Sequence, residues 1–266
     1  MDLGLARRAC AITGASRGIG REVARLLAGE GARVLLVARD HGAIEEVRSE
    51  CERAGGEAAP LALDVTEPDA GERILAAATE AFGRLDVLVN GAGTSRRRPL
   101  DEVPDEDWYA AWELNVMAPL RAMRAVIPPM AERGWGRVVN VSSTSGKRPS
   151  VTAAEYSVAK AAELSLSRVF ADAYAGSGVL VNAVCPGPTK SGLWMDPGGI
   201  LDQSREASDL PSREQALAAA GAQRPIGRLA EVEEIAGAIV FLCSERASYV
   251  AGAAWSVDGG TVQVII

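Results

Sequence analysis

Thr13-Gly14-Ala15-Ser16-Arg17-Gly18-Ile19-Gly20 follows the apolar run Ala9 to Ile12 and opens a stretch in which Ile19, Val23, Leu26 and Leu27 recur at helical spacing. A strand, a glycine-rich turn and a helix, in that order, are the context in which a glycine motif binds a dinucleotide. Glycines allow a tight turn and let the backbone approach a pyrophosphate. The helix start adds unpaired N–H groups and a partial positive charge. The spacing is Gly-x-x-x-Gly-x-Gly, with Gly14, Gly18 and Gly20 as the glycines and Ser16, Arg17 and Ile19 among them. Alone, such a run also suits a plain turn, so the rest of the chain decides.

Beyond the loop, short β-rich runs alternate with longer helical patterns. Arg33 to Ala38 reads as a second strand, and its centre Val34-Leu35-Leu36-Val37 is apolar throughout, as expected when both faces are covered. The pattern predicts helix 42–54, strand 58–63, helix 67–82, strand 86–90, helix 105–131 and strand 136–142. It continues with helix 153–176, strand 179–184, helix 231–244 and a last strand at 253–257. Seven strands alternating with helices imply an α/β fold: a single doubly wound domain on a parallel seven-stranded sheet, with helices on both faces. No shift in composition marks a second domain, so residues 1–266 read as one unit. Lys190 to Arg224 departs from the alternation; it holds Pro197-Gly198-Gly199 and the apolar cluster Leu193, Trp194, Met195, Ile200 and Leu201. Long excursions at this edge of such a sheet are usually lids or substrate walls, so about 190–224 is expected to be a substrate lid. A packed surface helix over Ser212 to Ala222 is the plainer alternative.

Composition narrows the function. The 266 residues are 48% hydrophobic and carry a net charge of −7, which fits a globular protein and argues against a nucleic-acid partner. The one basic cluster, Arg96-Arg97-Arg98, reads either as a solvated loop or as the electropositive rim of a pocket for an anionic substrate or carrier. Cys10, Cys51, Cys185 and Cys243 match no metal-ligand or redox spacing, and His41 is the single histidine, so no metal site or His-based triad is expected. Without an apolar run of about 20 residues or a secretory core, no membrane association is expected, and a cytoplasmic setting is the simplest.

The chemistry is signalled by Tyr156-Ser157-Val158-Ala159-Lys160, with Ser143 thirteen residues upstream of Tyr156. A tyrosine and a lysine four apart share one helix face. Free tyrosine titrates near pH ~10, and a nearby ammonium favours its phenolate. A serine hydroxyl beside the phenol can polarise a substrate oxygen. At the end of the second strand, Ala38 is followed by Arg39 and then Asp40. A basic residue there welcomes the 2′-phosphate of NADP, whereas an acid holds the ribose hydroxyls of NAD. Arg39, with Arg17 in the loop, favours NADP(H); a one-residue shift in register would put Asp40 at the discriminating position.

These residues resemble the short-chain dehydrogenase/reductase family, from about Arg8 to Gly260. The resemblance implies a cofactor loop at Thr13–Gly20, adenine contacts from Asp64 and Val65, and a cofactor-side strand end at Asn90-Gly91-Ala92-Gly93, where the family's second Asn is Gly91. It implies a locally distorted helix at Asn115 that holds a water in a proton relay. Pro186, Gly187 and Thr189 would cover the nicotinamide. Catalysis would rest on Asn115, Ser143, Tyr156 and Lys160, with Ser143 favoured over Ser142 by spacing to Tyr156. Tyr156 would donate the proton, Ser143 polarise the carbonyl, and Lys160 bind the ribose and tune the phenol.

The expectation is an NADPH-dependent enzyme reducing a ketone to a secondary alcohol, reversibly. Alternatives are an NAD-dependent alcohol dehydrogenase, a dehydratase or isomerase on the same scaffold, and a non-catalytic NADP-sensing protein. The chain resembles 3-oxoacyl-[acyl-carrier-protein] reductases and similar ketoreductases. Ser177 stands where carrier-dependent members commonly have an arginine, with Arg133 and Arg137 as partial replacements, and the Leu193-Trp194-Met195 run suggests an apolar or cyclic substrate. A homotetramer is expected from apolar patches on helix 105–131 (Ala110, Leu114, Val116, Leu120) and on the Tyr156 helix (Ala162, Leu166, Val169, Phe170). A second patch is expected at Ile235, Ile239, Phe241 to Cys243 and Ala253 to Trp255, and the apolar tail Val262 to Ile266 adds four hydrophobes that a monomer would leave in water.

Overall fold

The computed structural model describes residues 2–263. Strands β1 (Ala9–Thr13), β2 (Arg33–Ala38), β3 (Glu57–Ala62), β4 (Val87–Asn90), β5 (Gly136–Val141), β6 (Val179–Pro186) and β7 (Ala254–Val257) form one seven-stranded sheet. Its order is β3-β2-β1-β4-β5-β6-β7 and every pairing is parallel. Helices α1 (Gly18–Gly29), α2 (His41–Arg53) and α10 (Val232–Cys243) cover one face; α3 (Ala70–Phe82), α5 (Ala118–Glu132) and α6 (Ala154–Tyr174) cover the other.

The strand sequences dictate this sandwich. Along β1, Cys10 and Ile12 join the core with α1 and α10, while Ala9 and Ala11 join the core with α3 and α5. In β2, Val34 and Leu36 face the first core and Leu35 and Val37 the second. Successive side chains point to opposite faces, so only a continuous apolar run satisfies both layers. Each such side chain contributes roughly 1.5–3 kcal/mol on burial. Strand order reverses between β1 and β4, and that reversal opens a crevice at the C-terminal ends of the strands.

Several boundaries differ from the sequence pattern. Helix α3 begins at Ala70 rather than 67, because the Asp64 carboxylate accepts from the Thr66 N–H and hydroxyl and holds a turn there. The expected helix 105–131 is α4 (Asp105–Trp112), a π-helical turn at Glu113–Met117, and α5. Strand β6 runs on to Pro186. Within 190–224 lie α7 (Gly192–Met195), α8 (Ile200–Ala207) and α9 (Arg213–Ala222), the last capped by Ser212.

Two sequence expectations are corrected. Ile235, Ile239, Leu242 and Cys243 are buried between α1 and the sheet of their own chain, so α10 supplies no apolar patch of that extent; Phe241 stacks on Trp255 at 5.6 Å. Arg137 is buried too, bonded to the Gly136 and Ser244 carbonyls beside the Trp135 ring, and cannot meet an acidic carrier. Val264, Ile265 and Ile266 of the apolar tail lie outside the described residues. Among those described, no helix is long and apolar enough to cross a membrane.

Candidate active site

The glycine loop is built for close approach. Gly14 and Gly18 have φ of +71° and +56°, a region that side chains rarely adopt. A Cβ on Gly14 would stand 2.8 Å from the Gly91 carbonyl oxygen, and one on Gly20 2.3 Å from that of Gly14. Gly91, where the family resemblance has asparagine, is held in the same contact: a Cβ there would lie 2.8 Å from the Thr13 carbonyl oxygen. The Thr13 hydroxyl accepts from the Gly91 and Ala92 N–H groups at 3.0 and 3.2 Å, tying the ends of β1 and β4 together.

Above this junction lies a cavity of about 1280 Å³. Gly14, Ser16, Arg17, Gly18, Ile19 and Gly20 line it, as do Arg39, Asp64, Val65, Ala92 and Gly93. Helix α1 starts there without a side-chain cap, which leaves its first N–H groups available to an anion. This cradle, in which Gly14 and Gly20 leave no room for a Cβ, fits a dinucleotide pyrophosphate. Arg39 follows β2 with a largely exposed side chain, 3.8 Å from Asp64. Asp40 caps α2, its carboxylate accepting from the Ala43 N–H at 3.1 Å. The Thr66 N–H holds the Asp64 carboxyl below the usual carboxylate range against the opposing effect of burial, with smaller contributions from the Thr66 hydroxyl and Arg39.

Not every expected residue faces the cavity. Asn90 is buried beneath it and donates to Asn140 Oδ1 at 2.8 Å. Pro186, Gly187 and Thr189 end β6 outside the lining, with the Thr189 hydroxyl donating to the Gly187 carbonyl at 2.9 Å. Of the apolar cluster in 190–224 only Leu193 lines the cavity, with Ser191 and Gly192. That segment also reaches the glycine loop, where Arg17 pairs with Asp196 at 3.1 Å. Arg96 and Arg98 line the cavity and Arg98 pairs with Asp107 at 2.6 Å, while Arg97 bonds Ser204 and Thr152.

Helix α6 carries the reactive groups. Tyr156 lines the cavity, and Lys160 Nζ lies 5.8 Å from its ring centre. Lys160 is 2% exposed and donates to the Val141 carbonyl at 2.7 Å and to Glu163 Oε2 at 2.9 Å. Burial pulls the Lys160 ammonium down, but Glu163, and after it Tyr156, hold it above the ordinary lysine range. Burial in turn pushes the Glu163 carboxyl up, against the pull of Lys160. Glu163 was not singled out in the sequence, although its i+3 spacing from Lys160 was readable.

The neighbouring groups are fixed by local geometry. Ser142 and Ser143 are told apart by their hydroxyls: Ser142 donates to the Lys160 carbonyl at 3.0 Å, whereas Ser143 accepts from the Ser145 N–H at 3.0 Å. Gly146 packs so tightly on α6 that a Cβ would lie 2.9 Å from the Lys160 carbonyl oxygen. Asn115 sits in the π-helical turn, 1% exposed; its amide donates to the Ala111 carbonyl at 2.8 Å and its Oδ1 has no partner. A Cβ on Gly93 would be 3.7 Å from that oxygen and 4.0 Å from Lys160 Nζ, so the two polar atoms border one gap.

A parallel doubly wound sheet with a glycine cradle at its switch point defines a nucleotide-binding enzyme class. The family model described as enoyl-(acyl carrier protein) reductase matches residues 14–262. The chain is 34% identical to the 3-oxoacyl-[acyl-carrier-protein] reductase of Vibrio cholerae over 253 residues, 95% of this chain and 96% of that one. It is 37% identical to cis-4-hydroxycyclohexanecarboxylate dehydrogenase of Sinomonas cyclohexanicum, over 99% and 100% of the two chains. The structure of L-sorbose reductase from Gluconobacter frateurii, complexed with NADPH and L-sorbose, superposes over all of both chains with a TM-score of 0.92 and 34% identity. The chain belongs to the short-chain dehydrogenase/reductase family and is an oxidoreductase with a nicotinamide cofactor.

Proposed function

We propose that the protein reduces a ketone to a secondary alcohol with NADPH. The observation that carries this reading is the juxtaposition of Tyr156 on the cavity wall with the buried Lys160 ammonium and the partnerless Asn115 Oδ1. NADPH would supply the hydride. Tyr156 donates a proton to the developing alkoxide, and the Ser143 hydroxyl hydrogen-bonds the same oxygen. Lys160, its ammonium 5.8 Å from the Tyr156 ring centre, has one N–H left, after Val141 and Glu163, for the gap it shares with Asn115. A water there finds two polar partners and can return protons to Lys160.

Arg39 and Arg17 support NADPH over NADH, since both line the cavity with largely exposed side chains, Arg39 3.8 Å from Asp64 and Arg17 bonded to Asp196 at 3.1 Å. Asp40 is committed to capping α2, which disfavours the NAD reading. Pro186, Gly187 and Thr189 would approach the nicotinamide end, and residues 190–224, which reach the cavity through Ser191, Gly192 and Leu193, would act as the substrate lid of a single domain. Exposed Tyr109, Trp112, Val158 and Val169 on α4 and α6 support a homotetramer. The relatives' names span acyl, cyclic and sugar ketones or alcohols, so chemistry rather than substrate is shared.

A panel of carbonyl compounds with NADPH and NADH, followed at the nicotinamide absorbance, tests the reading. Tyr156→Phe should lower turnover by about 10²–10⁴-fold with little change in NADPH affinity. Near-full activity in that variant would remove Tyr156 from its role.

A further inference from the structure

Four acidic side chains are buried among the described residues, and three have a cationic partner. Glu22 pairs with Arg25 at 2.5 Å, Asp86 with Arg84 at 2.5 Å, and Glu163 with Lys160 at 2.9 Å. The fourth, Glu155, is 6% exposed, and its carboxylate receives no hydrogen bond from any described residue; Oε2 is sealed without a partner. Glu155 immediately precedes Tyr156 and lines the same cavity. Arg98, which also lines the cavity, is paired with Asp107 at 2.6 Å.

We propose that Glu155 is a substrate-recognition residue that accepts a hydrogen bond from a hydroxyl of the ketone, so that the enzyme selects hydroxylated ketones over plain ones. This rests on the ketone-reducing reading above. A buried acceptor without a donor is costly, and a ligand that brings the donor recovers that cost. An alkyl group in the same place leaves the carboxylate unpaired, and sites built around a hydroxyl reject the analogue lacking it by large factors. The donor is a neutral hydroxyl rather than an ammonium, because Arg17, Arg39, Arg96 and Arg98 line the same cavity and repel a cation. Both Glu155 and Tyr156 face that cavity from adjacent positions, so the recognised hydroxyl lies within a few bonds of the reacting carbonyl.

The test compares cyclohexanone with 2-, 3- and 4-hydroxycyclohexanone in wild-type protein, Glu155→Leu and Glu155→Gln. In wild type, kcat/KM with NADPH should favour at least one hydroxyketone by about 100-fold or more. Glu155→Leu should cut that ratio at least tenfold, and Glu155→Gln, which keeps an acceptor oxygen, should retain part of it. Leucine should also leave the protein melting at least as high as wild type, since an unpaired carboxylate is removed from a buried site. Calorimetric binding of the four ketones to the protein–NADP⁺ complex should give the same ranking without turnover. Absence of turnover across the wider carbonyl panel would sink the reductase reading, while binding still judges Glu155. Equal binding of plain and hydroxylated ketones by wild type would overturn the inference. So would an unchanged ratio in Glu155→Leu with weakened NADPH binding, which would assign the carboxylate to the cofactor.

Discussion

Replacing Glu163 with leucine should destabilise the protein by about 3–5 kcal/mol, the range for removing one partner of a buried ion pair. The side chains of Lys160 and Glu163 are 3% and 1% exposed, so no solvent replaces the lost carboxylate. The ammonium would keep a single acceptor, the Val141 carbonyl at 2.7 Å. Its only escape is to lose a proton. From the ordinary lysine value of 10.5, that costs about 1.36 × (10.5 − 7), or roughly 4.8 kcal/mol at pH 7, which is of the same size as that range. At ~2–4 °C per kcal/mol for a chain of this size the melting point should fall by roughly 6–20 °C. Guanidinium unfolding at fixed protein concentration measures it, because assembly would otherwise shift the midpoint. Lys160→Met in the Glu163→Leu background removes the orphaned charge and should recover most of the stability, though not activity. A loss below about 1 kcal/mol, or a double variant no more stable than Glu163→Leu, would refute the argument from burial.

Arg39→Asp should shift selectivity from NADPH toward NADH, by removing a charge-assisted contact and adding repulsion to the 2′-phosphate; an unmutated enzyme that already prefers NADH would make Asp40 the ribose ligand. The Lys160 ammonium is held above its unfolded value of 10.5, so its contribution to stability is complete below that pH and is lost as pH rises through the folded value. Stability of wild type relative to the Lys160→Met/Glu163→Leu protein should thus decline above pH 10.5, and a rise there would contradict the sign. Light scattering at low micromolar concentration should give about four times the 27.7 kDa chain mass, and Val169→Glu should lower it by placing a charge in an apolar contact; a stable wild-type monomer would sink the tetramer.

The sheet was legible because both-face burial leaves a local trace. Val34-Leu35-Leu36-Val37 cannot be a half-wet strand, and β2 divides it two and two between the layers. The start of α3 was not legible, because Asp64 and Thr66 trade hydrogen bonds that compete with helix and that hydropathy does not register. Helix α10 misled for a related reason: apolar on more than one side, it reads equally as an intersubunit patch or as a helix wedged between α1 and the sheet. Only the distant contact partner distinguishes these, and α1 is some two hundred residues earlier in the chain.

The active-site helix shows the same limit at the level of single side chains. Tyr156 and Lys160 could be paired from sequence because i,i+4 geometry is set within the helix. Glu155 and Glu163 lie on that helix too and look alike in sequence, each an acid preceded by two alanines. Folding buries both, at 6% and 1% exposure. Lys160 sits one turn from Glu163 and converts its burial into an ion pair, so that carboxylate is accounted for by structure alone. No cation pairs with Glu155, which lines the cavity from the first turn of α6. Glu155 stands in the first turn of α6, where the helix N-terminus favours an acid, and a ligand hydroxyl would add the hydrogen-bond donor that the described residues do not supply, so its proposed part in substrate recognition has no trace in sequence spacing.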